Sequence, residues 1–249
     1  MKRFHALRQT LTPLLLAVLL LPVPLLLPAS SAARASVEGG GETGDYRLLA
    51  LTFDDGPGPY TETLLDGLGE RGVSCTFFLV GSMAARYPEL LRRMAEEGHQ
   101  LGNHSYDHAV LTPENVGWEL EGCRQYLAAA AGEESFYVRP PYGTLLDGMA
   151  EKLNAPAILW SVDPNDWQTD DAAAVVRSVT EAVKDGDIIL LHDSHAHSVQ
   201  AALEIVDILQ AQGYEFVTVR ELLRRRGVTP ENGGKYFFAR NRGTNLPPE

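Results

Sequence analysis

Cysteine and basic residues are scarce in this sequence. It has only two cysteines among 249 residues, which excludes a fold held together by several disulfides. Cys75 falls in a predicted apolar strand and Cys123 in a predicted helix, and their spacing does not indicate a disulfide, so we expect two buried free thiols. The chain has 21 Lys and Arg residues against 33 Asp and Glu residues, and its net charge of −12 argues against binding to nucleic acid or to an anionic membrane.

The sequence also lacks internal repeats and the glycine-rich motifs of nucleotide-binding folds. Neither G-x-G-x-x-G nor G-x4-G-K-[ST] follows the first predicted strand, which argues against a doubly wound sheet with a ligand at its switch point. The length of 249 residues and the 45% of apolar residues are enough for one domain with a sizeable core.

The first 35 residues are typical of a secretory signal peptide. Lys2, Arg3 and Arg8 form a basic start, residues 11–29 are almost wholly apolar, and Ala33-Arg34-Ala35 is a small-x-small cleavage site. The alternative is an uncleaved helix that anchors the protein in a membrane, but four prolines in the apolar run argue against a continuous helix. Without the four basic residues of this segment, 17 basic residues remain against 33 acidic ones, a net charge of −16.

The rest of the chain divides into a glycine-containing linker at 36–45, a folded domain at 46–228 and a C-terminal tail at 229–249. Within the domain, seven apolar strands each precede a helical stretch, a pattern that indicates a parallel sheet, either a barrel or a doubly wound sheet. The strands are predicted near 47–53, 73–80, 99–103, 136–139, 156–162, 187–192 and 215–218.

Asp54 and Asp55 end the first of these strands, directly before Gly56-Pro57. Two adjacent carboxylates at the end of a buried strand need compensation, which a bound cation would provide. One carboxylate would then bind the cation, and the other would accept a proton from water. A solvated Asp-Gly-Pro turn is the alternative interpretation.

His104 and His108 follow the third predicted strand. Their i, i+4 spacing would place both imidazoles on one side of a helical turn, where they could share one ion with Asp55. A site with one Asp and two His ligands keeps an open position, which is typical of catalytic rather than structural zinc. Taken alone, the histidine pair fits surface hydrogen-bonding groups as well.

All the polar motifs follow the carboxyl ends of predicted strands. Those ends converge on one face of a (β/α) barrel, where active sites are built, so the common position of the motifs favours the barrel over the doubly wound sheet. The motifs are Asp54-Asp55, His104 to His108, Arg139-Pro140-Pro141-Tyr142-Gly143, Asp163-Pro164-Asn165-Asp166-Trp167 and His192-Asp193.

In order along the chain, these motifs resemble the five motifs of the polysaccharide deacetylase family, also called the NodB-homology domain or carbohydrate esterase family 4. The resemblance runs from about Tyr46 to Leu223. It implies a distorted (β/α) barrel, with seven parallel strands expected here. It also implies removal of N-acetyl or O-acetyl groups from sugars with one divalent metal ion, commonly Zn²⁺, with Co²⁺ or Mn²⁺ as alternatives.

The resemblance also implies a role for each matching residue. Asp55, His104 and His108 would bind the metal, while Asp54 would be the catalytic base, ionised and oriented by Arg139. His192 would be the catalytic acid, with Asp163 orienting its imidazole. The substrate-binding residues would be Tyr142 and Trp167, which would stack on sugar rings, Leu190 in the acetyl pocket, and Asp166. The backbone N–H of Tyr142 would donate a hydrogen bond to the developing oxyanion.

The functional expectation is a secreted or cell-wall-associated deacetylase that acts on an N-acetylglucosamine polymer, with peptidoglycan preferred and no stable protein partner. The alternatives are a chitin-oligosaccharide deacetylase, an O-acetyl esterase acting on acetylxylan, and a catalytically idle glycan-binding barrel. The intact base, acid and three metal ligands argue against the idle barrel.

Overall fold

The computed structural model describes residues 47–240. The predicted signal peptide, the predicted linker, Tyr46 and residues 241–249 of the predicted tail lie outside the described residues. Between these limits, strands and helices alternate along the chain, as the sequence pattern predicts. The strands are β1 (Arg47–Asp54), β2 (Thr76–Leu79), β3 (Gln100–Asn103), β4 (Ala157–Ile158), β5 (Ile188–His192), β6 (Tyr214–Phe216) and β7 (Lys235–Tyr236). The helices are α1 (Thr61–Glu70), α2 (Gly81–Ala84), α3 (Pro88–Glu96), α4 (Val116–Ala131), α5 (Ala172–Ala182), α6 (Ala196–Ala211) and α7 (Val219–Arg225).

β1 is the central strand of the parallel sheet. β2 pairs with it on one side and β5 on the other, β3 lies beside β2, and β6 pairs with the first residues of β1. Alternate residues of β1 belong to two different cores. Leu49, Leu51 and Phe53 are part of the larger one, whereas Leu48 and Ala50 pack with residues of other strands and of α7. Burial on both faces explains the continuous apolar run in this strand.

Single parallel bridges close the barrel where regular strands are short. They connect Asn103 to Val138, Val138 to Ala157, and Val162 to Ile189, so that a path of paired segments runs from β3 to β5. The predicted distorted (β/α) barrel is therefore confirmed.

Two of the predicted strands are much shorter than expected. The segment 136–139 is reduced to the bridge at Val138, since Pro140 and Pro141 follow and have no N–H to donate to a ladder. The segment 156–162 contains only β4 and the bridge at Val162. Helices α5 and α6 follow the predicted strands 156–162 and 187–192, as the alternating pattern predicts, and Cys75 and Cys123 are buried free thiols.

The domain boundary predicted at residue 228 is too early. β7 pairs in parallel with β4, and Tyr236, Phe238 and Ala239 are buried. Arg240 forms an ion pair with Asp187, whose side chain is completely buried. The described part of the predicted tail is therefore part of the core. No helix among residues 47–240 is long and apolar enough to cross a membrane.

Candidate active site

Asp55, His104 and His108 come together at the carboxyl ends of β1 and β3, as predicted. Their ligand atoms all lie within 4.8 Å of one another. Burial alone would raise the pKa of Asp55, but the neighbouring imidazoles of His104 and His108 lower it to about 2. The buried Oδ1 of Asp55 has no hydrogen-bond partner among the described residues. An anionic oxygen without a partner, facing two imidazole nitrogens, fits a divalent cation such as Zn²⁺.

The segment from His104 to His108 is a loop, not the helical turn suggested by its spacing. Ser105 and His108 both have a positive φ, of 66° and 58°, and this backbone turn brings the two rings to a centroid separation of 4.9 Å. The Nδ1 of His104 lies 2.7 Å from the carbonyl oxygen of Arg139. A carbonyl can only accept, so Nδ1 carries the hydrogen and Nε2 keeps a lone pair for a metal.

Two buried side chains hold this loop from behind. Oε2 of Glu119, on α4, accepts the backbone N–H groups of Tyr106 at 2.8 Å and Asp107 at 3.0 Å. Oδ1 of Asn103 accepts the N–H of Ser105 at 2.9 Å. Both residues orient the histidine loop without reaching the cavity. Neither residue stands out in the sequence as a candidate functional residue.

Asp54 lies beside the metal triad and is held by Arg139. The Nη1 group of Arg139 donates to Oδ1 of Asp54 at 2.7 Å, while Oδ2 of Asp54 faces Nε2 of His104 at 3.5 Å. The guanidinium is fully buried and also donates to Thr52 and to the carbonyl oxygens of Ile158 and Leu159. One carboxylate oxygen is thus fixed by a cation and the other faces the open site, as a base requires.

His192 is the register partner of Asp54 on the neighbouring strand β5. Its Nδ1 lies 2.8 Å from Oδ1 of Asp166, and its Nε2 lies 4.0 Å from Oδ2 of Asp55. The orienting contact assigned to Asp163 is therefore made by Asp166, which is fully buried. Asp163 instead accepts the backbone N–H of Asn165. The left-handed Asn165, followed by a 3₁₀ turn, carries Asp166 back towards β5.

The environment of His192 suits a proton donor. Burial alone would lower its pKa, but the hydrogen bond to Asp166 and the negative charges of Asp166, Asp54 and Asp55 raise it to about 9. The imidazole is therefore protonated at neutral pH, with Nε2–H directed to the cavity.

A cavity of about 400 Å³ lies over these residues. Tyr142 and Trp167 are 66% and 57% exposed and form its walls, whereas Leu190 is buried at 4% and lines its base. Trp160 also lines the cavity, although its sequence context suggests only a core residue. Asp166 itself does not line the cavity, so the structure gives it no place among the substrate-binding residues.

Residues with a positive φ are concentrated at this site. Six described residues other than glycine have a positive φ, and five of them lie in the loops around the cavity. Strain of this kind costs roughly 1–3 kcal/mol per residue and persists where surrounding structure enforces it, typically at functional sites. The five residues are Asp55, Ser105, His108, Tyr142 and Asn165.

Asp193, the second residue of the last polar motif, is a further buried carboxyl group, and the sequence assigns it no role. It accepts a hydrogen bond from Thr61, and burial raises its pKa to about 7. A Cβ atom at Gly56 would lie 2.5 Å from its Oδ2, so only glycine fits directly after Asp55. Asp193 and Gly56 together position the turn that follows the two catalytic-site carboxylates.

Residues 41–157 match the sequence profile described as polysaccharide deacetylase. A curated relative from Listeria monocytogenes, a peptidoglycan-N-acetylglucosamine deacetylase, is 38% identical over 195 residues. The alignment covers 77% of this chain and 41% of that protein, so the chain spans only about two fifths of the relative's length.

Two solved structures extend the similarity to the fold. A T48 deacetylase with substrate is 40% identical, with a TM-score of 0.72, and the match covers 77% of this chain and 96% of that one. A family 4 acetyl xylan esterase from Clostridium thermocellum, in complex with a cobalt ion, is 30% identical with a TM-score of 0.72; the match covers 77% of this chain and 98% of that one.

Proposed function

Because the chain belongs to the polysaccharide deacetylase family, we propose that it hydrolyses N-acetyl groups of an N-acetylglucosamine-containing polysaccharide, with peptidoglycan as the substrate. The observation that carries this proposal is the position of Asp54 and His192. They are register partners on adjacent strands, on either side of the Asp55 carboxylate and its two histidines. A base and an acid that flank one cation site have the arrangement needed for metal-assisted amide hydrolysis.

A divalent ion held by Asp55, His104 and His108, which we take to be Zn²⁺, would polarise the acetyl carbonyl and make the attacking water more acidic. Asp54 accepts the proton from water through the Oδ2 that Arg139 leaves free. The amide nitrogen must gain a proton before it can leave, and His192 donates it from Nε2 because Asp166 holds Nδ1.

Two further observations support the proposed substrate and location. The curated relative from Listeria monocytogenes is named as a peptidoglycan deacetylase, and the first 35 residues have the pattern of an export signal. We therefore propose a secreted or cell-wall-associated enzyme; retention by an uncleaved N-terminal helix is the alternative. The two exposed aromatic walls, Tyr142 and Trp167, provide apolar faces for sugar rings.

O-acetyl ester hydrolysis is the second candidate function, because one similar structure is an acetyl xylan esterase. The two activities place different demands on the acid. An alkoxide leaves with less help than an amine, so replacement of His192 by Ala should reduce N-deacetylation more than ester hydrolysis. Equal losses on an N-acetylglucosamine oligomer and on a phenyl acetate ester would remove His192 from the role of acid.

The proposed function is tested by acetate release from peptidoglycan, chitin oligomers and acetylxylan, with the metal content measured in parallel. Asp54→Asn should keep the metal and lose about 10²–10⁴-fold in rate, since it removes only the base. Asp55→Asn should lose metal as well, because it removes one of three ligands. Equal metal loss in the two variants, or no acetate from any substrate with the metal-loaded protein, would overturn the proposal.

A further inference from the structure

A second cavity, of about 340 Å³, adjoins the catalytic one. Tyr142 and Trp160 line both cavities, so the two spaces share these aromatic walls. A polymer bound with one sugar in the catalytic cavity therefore has a neighbouring space of the size of a small-ligand pocket. The second cavity is also lined by Leu145, Leu159, Lys235 and Phe237.

Strand β7 builds one side of this second cavity. Side chains alternate along β7 and the two residues that follow it: Tyr236 and Phe238 are buried in the protein, whereas Lys235 and Phe237 line the cavity. The Leu159 N–H donates to the carbonyl oxygen of Tyr236 at 2.7 Å, which fixes β7 beside the residue that precedes Trp160. The position of Lys235 is thus set by the sheet rather than by a free loop.

The turn opposite β7 is fitted closely to Trp160. Gly143 has a φ of 64°, and a Cβ atom there would lie 2.8 Å from Cη2 of the indole. Glycine at this position lets Tyr142 project into the space between the two cavities while Trp160 packs beneath the turn. The shared wall therefore depends on the close approach of Gly143 to Trp160.

Among residues 47–240, Lys235 is the only lysine or arginine that lines either cavity. No carboxylate among residues 47–240 forms an ion pair with its ammonium group, and the side chain is exposed. The neighbouring catalytic cavity is lined by Asp54, Asp55 and Asp163. A single cation at the outer end of an acidic site, with no partner of its own, is complementary to an anionic group on the ligand.

We propose that Lys235 binds a carboxylate carried by the sugar next to the one that is deacetylated; this inference rests on the proposed function. In peptidoglycan every second sugar carries a lactyl ether, which ends in a carboxylate or continues as a peptide with carboxylates of its own. Chitin carries no such group. The apolar side chains of Leu145, Leu159 and Phe237 face the methyl-bearing ether, and Lys235 faces its charged end.

The test compares three soluble substrates of equal length: an alternating peptidoglycan tetrasaccharide with free lactyl carboxylates, the same compound with these groups amidated, and the chitin tetrasaccharide. A fourth, with stem peptides attached, distinguishes the lactyl carboxylate from peptide carboxylates. Lys235→Met keeps most of the side-chain length without the charge, Lys235→Arg restores the charge, and Lys152→Met is the control at an exposed lysine away from both cavities.

We expect Lys235→Met to lose about 3- to 10-fold in kcat/KM on the carboxylate substrate, mainly through KM, because an exposed ion pair is partly screened. The loss should shrink at high salt and be absent with Lys235→Arg and Lys152→Met. Activity on the amidated and chitin substrates should not change, which also shows that the variant folds. If Lys235→Met lost kcat/KM equally on all substrates, or lost none on the carboxylate substrate, the inference would be overturned.

Binding measured by calorimetry separates this inference from the proposed function. In the Asp54→Asn background, without turnover, Lys235→Met should weaken binding of the carboxylate tetrasaccharide and leave binding of the chitin tetrasaccharide unchanged. If the original protein releases no acetate but this difference in binding remains, the proposed function fails and the Lys235 site stands. If acetate is released and the difference is absent, the Lys235 site fails alone.

Discussion

Asp166 and Asp163 lie three residues apart after the same strand segment, but only Asp166 contacts His192. Asp166→Asn removes the negative charge that raises the pKa of His192 towards 9 from its ordinary value of 6.5. Since the protonated imidazole is the donor, activity is lost as pH rises through this pKa. We therefore expect the basic limb of the kcat/KM profile to move to lower pH in Asp166→Asn.

Asp163→Asn is the matched control for this prediction, because it changes the same charge without touching His192. The basic limb of its kcat/KM profile should lie at the same pH as in the original protein, whereas that of Asp166→Asn should move to lower pH. The pH dependence of kcat/KM on one N-acetylglucosamine oligomer, at constant metal loading, measures both. A larger shift from Asp163→Asn would return the orienting role to that residue.

The residues of the metal triad could be predicted from sequence because each follows a predicted strand, and strand ends meet on one face of a barrel. The sequence could not show which aspartate orients His192. Asp163 and Asp166 both follow the fifth predicted strand, and the choice depends on the left-handed Asn165 and the 3₁₀ turn after it. Trp160 was also missed, since an aromatic residue in an apolar segment has the same pattern whether it packs in a core or lines a cavity.

At the scale of secondary-structure elements, α4 supports the metal site through Glu119. The Glu119→Ala variant leaves two loop N–H groups without their acceptor and frees the backbone between the two histidines. We expect affinity for Zn²⁺ or Co²⁺ to fall about 10- to 100-fold, as for other residues that orient metal ligands. Competition with a chelator measures this loss.

Glu121→Ala is the control for this prediction, because Glu121 lies on the same helix but is exposed and pairs with Arg124. It should bind metal like the original protein. Glu119→Gln keeps an oxygen that can accept both N–H groups, so its affinity for the metal should lie between those of Glu119→Ala and Glu121→Ala. If Glu119→Ala bound metal as tightly as Glu121→Ala, the loop would be held by other contacts.

The long helices were predictable from sequence, whereas the short extent of β4 and the existence of β7 were not. Helix α6 has apolar residues on one face over 16 residues, which is long enough for a 3.6-residue period to be recognised. β4 and β7 have two residues each, and two residues carry no period at all. Their pairing is a consequence of barrel closure, so it depends on residues far apart in sequence.

At the scale of the whole molecule, the segment after residue 228 contributes to stability. Phe238 is 7% exposed, and Phe238→Ala should lower the free energy of unfolding by about 3 kcal/mol, since it leaves a cavity in a packed region. Urea denaturation followed by tryptophan fluorescence measures the difference.

Leu146→Ala is the control, because Leu146 is 44% exposed and its replacement should change the free energy of unfolding by no more than about 0.5 kcal/mol. A Phe238→Ala protein as stable as Leu146→Ala would show that residues 229–240 contribute little to the domain. The result expected here would require recombinant fragments of this protein to extend past residue 240.

Among residues 47–240, the large apolar side chains that remain exposed share one position in the element order. Each lies after the carboxyl end of a strand or in the first turn of the next helix, on the side of the barrel that holds the catalytic cavity. An insoluble polymer would meet this face first. The residues are Tyr60, Val110, Trp118, Tyr142, Leu146 and Trp167.

Arg139 contributes both to catalysis and to the fold, because its guanidinium binds the catalytic base Asp54 and two backbone carbonyl groups where the barrel closes. Its loss would leave Asp54 buried without a counter-charge and two strand carbonyls without donors, which is costly to the folded state. An inactive protein for capturing a bound polysaccharide should therefore be made at Asp54, where Asn keeps the shape of the side chain. By the same reasoning, descendants of this chain that abandon catalysis are expected to change Asp54 or a histidine before they change Arg139.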